Sequence, residues 1–268
     1  MTILLPPPAP AIVREAVLYP ETDGRPMAET DIHMDELADF KLMLRRHFLA
    51  QPDVYVSGNL LLYYQKGNPR LSVAPDVFVV RGIARAKERR RTYKLWVEKQ
   101  PPAWVLEITS PSTRGEDLGV KRGLYQLLGV QEYVLHDPLG EYLKPALQGY
   151  ALNDAGQYEP LRPTARGGLA SQVLGLELRV EEKQLRLWDP RTGAYLLTPA
   201  EEAAGREQAE SRASAEAAAR EQAEARASQA ESRARDEAAA REQAELRALA
   251  AEEELRRLRA EFERTRPA

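Results

Sequence analysis

The chain has 268 residues, enough for one sizeable core and an appendage, and a formal net charge of −3 that gives no overall bias towards a polyanionic partner. It contains no cysteine, which excludes disulfides, thiolate zinc sites, iron–sulfur clusters and a cysteine nucleophile. No apolar run approaches the roughly 20 residues needed to cross a bilayer, and Met1 to Leu5 lack the basic start and apolar core of a signal peptide; the expectation is a soluble, cytoplasmic protein.

Residues 1–30 are proline-rich and read as extended or irregular, because proline fixes φ and removes a donor. From Asp31 to Ala50, Ile32, Leu37, Phe40, Leu44 and Phe48 recur at near-helical spacing and predict a helix, closed by Gln51, Pro52 and Asp53. Val54 to Tyr64 is rich in β-branched and aromatic residues and predicts a strand, with a turn at Gly67, Asn68 and Pro69 and a second strand from about Leu71 to Val80. Residues 81–94 carry Arg81, Arg85, Lys87, Arg89, Arg90, Arg91 and Lys94, the best candidates for phosphate contacts or, alternatively, a solvated basic face. Ala103 to Thr109 is a continuous apolar run of the kind found in a buried central strand, interrupted only by Glu107.

A helix is predicted from about Arg114 to Leu128, with Thr113 and Glu116 spaced as a capping box and Gly129 as its C-terminal cap. Glu132 to His136 reads as another strand, ending at Asp137 and Pro138; Tyr142 to Leu152, Gln157 to Leu161 and Leu176 to Leu187 read as short strands linked by turns. This order predicts a mixed-sheet α/β domain over residues 1–198.

Residues 199–268 change abruptly to Ala, Glu, Arg and Gln, the composition of a long helix. Residues 201–268 hold 13 Arg and no Lys against 17 Asp and Glu, leaving 25 basic and 24 acidic residues in the first 200. The pentapeptide beginning at Arg206 recurs at Arg220 and Arg241, offsets of 14 and 21 that are multiples of seven. A 4-3 track through Ala244, Ala248, Ala251, Leu255, Leu258 and Phe262 predicts a coiled-coil seam and hence self-association; a solvated single helix supported by i,i+4 ion pairs is the alternative.

Acids inside apolar strands carry the chemistry. Burying an unpaired carboxylate is expensive, so Asp76 and Glu107 each need a partner, a hydrogen-bond cage or a metal. Two carboxylates on adjacent strands offer hard oxygen ligands suited to Mg²⁺ or Mn²⁺. Asp117, Lys121 and Tyr125 are spaced i, i+4, i+8 and form one helix stripe, from which Lys121 can reach the same point. A metal, two carboxylates and a lysine are a minimal set for phosphodiester hydrolysis. Structural readings stand beside these: Asp76 opening a turn after Pro75, Lys121 pairing only with Asp117, and Tyr125 and Tyr133 serving as packing residues. His33, His47 and His136 match no histidine-based nuclease spacing, although His33 could approach from the first helix.

Val73 to Asp76, Val105 to Ser110 around Glu107, the Asp117, Lys121, Tyr125 stripe, and Gly129 to Tyr133 followed by Asp137 and Pro138 together resemble the PD-(D/E)XK nuclease superfamily, and within it the Uma-type family of restriction-endonuclease-like bacterial proteins. The resemblance spans roughly residues 18–195. It implies a restriction-endonuclease-like mixed β-sheet flanked by helices, a double-stranded DNA substrate, and a metal held by Asp76, Glu107 and the Ile108 carbonyl. The superfamily's basic pattern puts its lysine two residues after the acid, where this chain has Thr109; the Uma-type branch resembles the chain in moving the lysine to the next helix, as Lys121. The superfamily often adds an acid from the first helix, for which Glu36 and Glu29 are candidates. A nuclease-fold scaffold acting through its helical tail without turnover is the alternative, and a small-molecule hydrolase using the same acids is a third reading. No nucleophile elbow, Walker loop or dinucleotide fingerprint is present.

Overall fold

The first helix forms where the chain supplies both a cap and an apolar stripe. In the computed structural model, which describes residues 17–22, 30–110 and 113–265, α1 runs Asp31–His47 behind Thr30, whose side chain accepts from the His33 amide. Leu37, Phe40, Met43 and Leu44 form its buried stripe, and Arg45, Arg46 and His47 sit in the last turn, where positive charge complements the helix dipole. Ile32, assigned by periodicity to the same stripe, is exposed instead.

Two segments that read as single strands are each broken. Val54 to Tyr64 divides into β1 (Tyr55–Ser57) and β2 (Leu62–Tyr63) around Gly58 and Asn59, the latter with φ of 51°. Leu71 to Val80 divides into β3 (Ser72–Val73) and β4 (Val77–Val80), separated by Ala74, Pro75 and Asp76. The break moves each pair of strands into different sheets. A three-stranded sheet has the order β3-β2-β5, with β5 at Tyr93–Lys94 followed by the short α2 (Leu95–Glu98). The main sheet has the order β1-β4-β6-β7-β8-β9, with β6 at Trp104–Ile108, β7 at Glu132–His136, β8 at Leu147–Leu152 and β9 at Tyr158–Pro160. Only β6 and β7 are parallel within it, so a crossover must join them. That crossover is a π-helical stretch, Glu116–Lys121, running directly into α3 (Arg122–Leu128).

Strand alternation sorts the core onto two faces. Trp104, Leu106 and Ile108 point to α1 and to a four-stranded meander, β10 (Leu169–Ser171), β11 (Leu176–Glu181), β12 (Gln184–Asp189) and β13 (Ala194–Tyr195). Val105 points to the other face with Phe78, Val80, Tyr125, Tyr133 and Leu135. Covered on both sides, β6 is buried at every residue, which is why its sequence is nearly continuous in apolar side chains.

The helix crossover begins at Arg114, as expected, but without its expected cap. No side chain caps it; the Thr113 hydroxyl engages Ser110, accepting from its amide at 3.0 Å, so the capping box with Glu116 does not form. Its end is as expected, at Gly129 with φ of 77°. A second unit, residues 203–268, continues the helix α4 (Pro199–Thr265), whose 67 residues extend roughly 100 Å at 1.5 Å per residue. Among the described residues no helix is long and apolar enough to cross a membrane.

Candidate functional site

Register brings the two strand acids together. Antiparallel pairing of β4 with β6 matches Val77 to Leu106, and continuing it by one residue sets Asp76 opposite Glu107, on the face that also carries Phe78 and Val105. One residue further, Ile108 lies opposite Pro75. Pro75 has no N–H to give, and its carbonyl turns to the Asn59 amide on the β1 side. Asp76 takes the place of that carbonyl: its Oδ2 accepts from the Ile108 amide at 2.7 Å. Amide and carbonyl of a strand residue face the same neighbour, so the Ile108 carbonyl also faces Asp76. The Pro75-Asp76 pair thus ends the β4–β6 ladder and leaves a carboxylate and a carbonyl side by side.

Close backbone approach fixes Asp76 from the other edge. A Cβ on Gly58 would overlap the Asp76 carbonyl oxygen, and the neighbouring Asn59 amide donates to the Pro75 carbonyl at 2.8 Å. From α1, His33 Nε2 comes to 3.5 Å from Asp76 Oδ1.

The crossover supplies the rest. Lys121 Nζ lies 3.0 Å from Glu107 Oε2 and 2.9 Å from Asp117 Oδ1, while the Tyr125 hydroxyl donates to Glu107 Oε1 at 2.6 Å. Tyr133 on β7 donates to the Asp117 carbonyl at 2.9 Å, tying the π-helical stretch to the sheet beneath it. The Asp117, Lys121, Tyr125 stripe therefore converges on one carboxylate. Tyr125, which the sequence presents as a packing residue, is both buried and bonded to Glu107, and a hydroxyl leaves no mark in a hydrophobic pattern. Lys121 bridges Asp117 and Glu107 instead of pairing with Asp117 alone.

Burial pushes the Glu107 carboxyl up to about 8; Lys121 is the strongest opposing influence, and Asp76 and Asp117 act in the same sense as burial. Burial alone would lower the Lys121 ammonium, but Glu107 and then Asp117 outweigh it and raise its pKa. Tyr125 is held well above its ordinary value by burial and then by Glu107. Three carboxyl groups thus face one ammonium, an excess of acids in a poorly hydrated place that holds Glu107 towards its neutral form.

That surplus, oxygen-only donors and the Ile108 carbonyl fit a hard divalent cation. Each Glu107 oxygen accepts one hydrogen bond and retains a further lone pair. Among the described residues no three acidic or histidine side chains converge closely enough to hold a metal by themselves. The fit is to Mg²⁺, which keeps several waters and takes one or two carboxylates beside a substrate phosphate, more than to a closed protein cage.

Other expected contributors lie elsewhere. Glu36 is on the opposite sheet face, where its Oε1 accepts from the Leu185 amide at 3.1 Å and sits 2.8 Å from His136 Nδ1. Glu29 lies outside the described residues. In the basic segment, Arg81 donates to the Val173 carbonyl, Lys87 to the Phe48 and Val54 carbonyls, and Arg90 to both oxygens of Glu98. These three cations tie the loop to the body of the domain.

Comparison with known proteins gives a consistent setting. The profile of the Uma2 family, described as "Putative restriction endonuclease", matches residues 23–189. Among solved structures, one described as a "putative nuclease belonging to DUF820" from Anabaena variabilis is similar over 57% of this chain and 81% of that one, at 14% sequence identity and a TM-score of 0.41. No curated protein matches the chain.

Proposed function

The chain belongs to the Uma2 family of restriction-endonuclease-like proteins, and from that premise we propose that it is a Mg²⁺- or Mn²⁺-dependent endodeoxyribonuclease acting on double-stranded DNA. The observation that carries the reading is the convergence of Lys121 on Glu107 at 3.0 Å, beside an Asp76 clamped to the Ile108 amide. Asp76, Glu107 and the Ile108 carbonyl are the groups that would hold the ion. A divalent ion there would polarise the scissile phosphate and lower the pKa of an attacking water.

The chain's own residues do the rest. The Lys121 ammonium places fixed positive charge where the phosphoryl oxygens gain negative charge. Asp117 keeps that ammonium over the site, and Tyr125 fixes the rotamer of Glu107, the kind of supporting bond that holds metal ligands in place. Burial of Glu107 and Asp117 keeps water from screening these charges.

Plasmid nicking measured with Mg²⁺, with Mn²⁺ and with chelator tests this for wild type, Asp76→Ala and Lys121→Ala. The expected result is metal-dependent cleavage, reduced by about 10²-fold or more in each variant. Cleavage that persists in chelator, or that survives both substitutions, sinks the mechanism. No cleavage together with no metal-linked rise in melting temperature transfers the reading to a scaffold that works through its helical tail.

A further inference from the structure

A donor-rich concavity of about 430 Å³ opens at the far end of the main sheet from Asp76 and Glu107. Strand direction sets the separation. Glu107 is near the C-terminal end of β6, whereas the concavity gathers at Arg81, just past the C-terminal end of antiparallel β4, and at Gln131, just before parallel β7. Six polar side chains line it from separate segments: His47 and Gln51 at and after the end of α1, Arg81, Gln131, Gln172 in the turn after β10, and Arg191 in the turn between β12 and β13.

Each of the six can donate a hydrogen bond, and no carboxylate lines the concavity. Two acids lie behind its wall, and fixed partners already satisfy both. Glu132 accepts from the Ser171 hydroxyl and from the Gln172 and Val173 amides, the last two at 2.7 and 3.2 Å. Asp189 accepts from Arg191 Nε at 3.1 Å and Nη2 at 2.9 Å, and from the Arg191 amide at 2.9 Å. Arg81 commits one N–H to the Val173 carbonyl at 2.5 Å and lies over the Phe48 ring. Both guanidiniums keep further N–H donors, and both side chains are exposed. Burial, and then Arg191, hold the His47 imidazole below its ordinary value, with Arg81 adding to them and Asp189 opposing.

We propose that this concavity is a second phosphate-binding site, separate from the metal-binding carboxylates. Donors approaching from the sheet end, the α1 end and two turns surround a bowl. A tetrahedral oxyanion, with acceptors in several directions, satisfies such an array better than a planar carboxylate, and guanidinium forks suit phosphate oxygens. Two sources carry that chemistry, a phosphodiester of a nucleic-acid strand and a free phosphate or phosphomonoester. Preference for the strand rests on the nuclease reading above; the site itself does not.

The test uses the full-length protein in chelator, so that nothing is cleaved. Equilibrium dialysis measures inorganic phosphate, and fluorescence anisotropy measures a labelled DNA duplex. The double variant Gln131→Glu with Gln172→Glu adds two carboxylates to the wall and removes no structural contact; Gln100→Glu with Gln157→Glu is its charge-matched control elsewhere on the surface. The expected result is a loss of at least tenfold in the double variant for one or both probes, with the control close to wild type and all proteins melting alike. Loss for the duplex identifies a strand phosphate, and loss for inorganic phosphate alone identifies a free one. Binding of neither probe by wild type, or equal effects in the double variant and the control, overturns the proposal. Failure of plasmid cleavage with this binding intact would count against the nuclease reading alone.

Discussion

Asp76 is useful only if its backbone is held where the β4–β6 ladder stops, and a missing side chain does much of that holding. Gly58 passes so close to the Asp76 carbonyl that any Cβ must displace it. We predict that Gly58→Ala destabilises the fold by about 1–3 kcal/mol, the usual cost of overpacking, and weakens cleavage further by moving Asp76. Gly123→Ala is the contrast: nothing lies within 4 Å of a Cβ there, and alanine in an exposed helix position gains up to about 1 kcal/mol. Chemical denaturation of both variants, with the metal-linked gain in melting temperature recorded for each, checks the pair; equal stabilities would remove the argument from Gly58. At this scale the sequence exposed what contradicts its surroundings. A carboxylate in an apolar strand stands out, so Asp76 and Glu107 were legible, and Lys121 followed from helical spacing. Tyr125 agrees with its surroundings as a hydrophobic ring, so its bond to Glu107 left no mark in the pattern, whereas an approach of His33 from the first helix was open in the sequence and the packing of α1 brings it to Asp76.

Elements show where local chemistry overrides pattern. Val54 to Tyr64 and Leu71 to Val80 keep strand-like composition throughout, yet Asn59 and Pro75 divide them, and the second division sets Asp76 beside the Ile108 amide in the candidate site. The strand–helix–strand order of β6, the crossover and β7 was legible because the apolar runs and the intervening stripe have different periods; their parallel pairing came only with the structure. The short β3, β5, β10 and β13 carry too few residues for any period. Stability of the turn after β7 also has a readable cause. The Asp137 side chain accepts from the amides of Leu139, Gly140, Tyr142 and Leu143 at 2.9–3.2 Å. Burial alone would raise its pKa, but these four donors outweigh burial and depress it. A depressed carboxyl lends stability that is fully present above the unfolded value of about 3.9 and is lost as pH falls through the lower folded value. Asp137→Asn is therefore expected to lose about 1–3 kcal/mol at neutral pH, with the difference from wild type closing below about pH 4. Urea unfolding across that range decides it, and a gap that widens on acidification would contradict the assignment.

At the scale of the whole molecule, the unexplained part is a 67-residue helix whose described side chains beyond the half-buried Glu202 are all exposed. Intrachain ion pairs, such as Glu216 with Arg220 at 2.6 Å, help a lone helix, but each contributes only about 0.3–0.5 kcal/mol. They do not account for the heptad spacing of the repeats at Arg206, Arg220 and Arg241. Leu255 and Leu258 fall on one 4-3 track and are 52% and 59% exposed in the single chain, so a second copy is the partner that same track could cover. Burying each such leucine gains about 1.5–3 kcal/mol, and association costs a sum of the same order. Arg220, Glu237 and Arg241 interrupt the track towards the N-terminal end of α4, which confines the apolar seam to its last third. The expected outcome is therefore a concentration-dependent dimer for the full chain and a monomer for a chain ending at Glu202, both measured by sedimentation equilibrium. Leu255→Glu with Leu258→Glu should abolish association while leaving helicity by circular dichroism unchanged, because both residues are exposed in the monomer. Monomers for both the full and shortened chains would mean that the tail acts as a solvated spacer, and the heptad offsets would then reflect duplication of the sequence without a packing role.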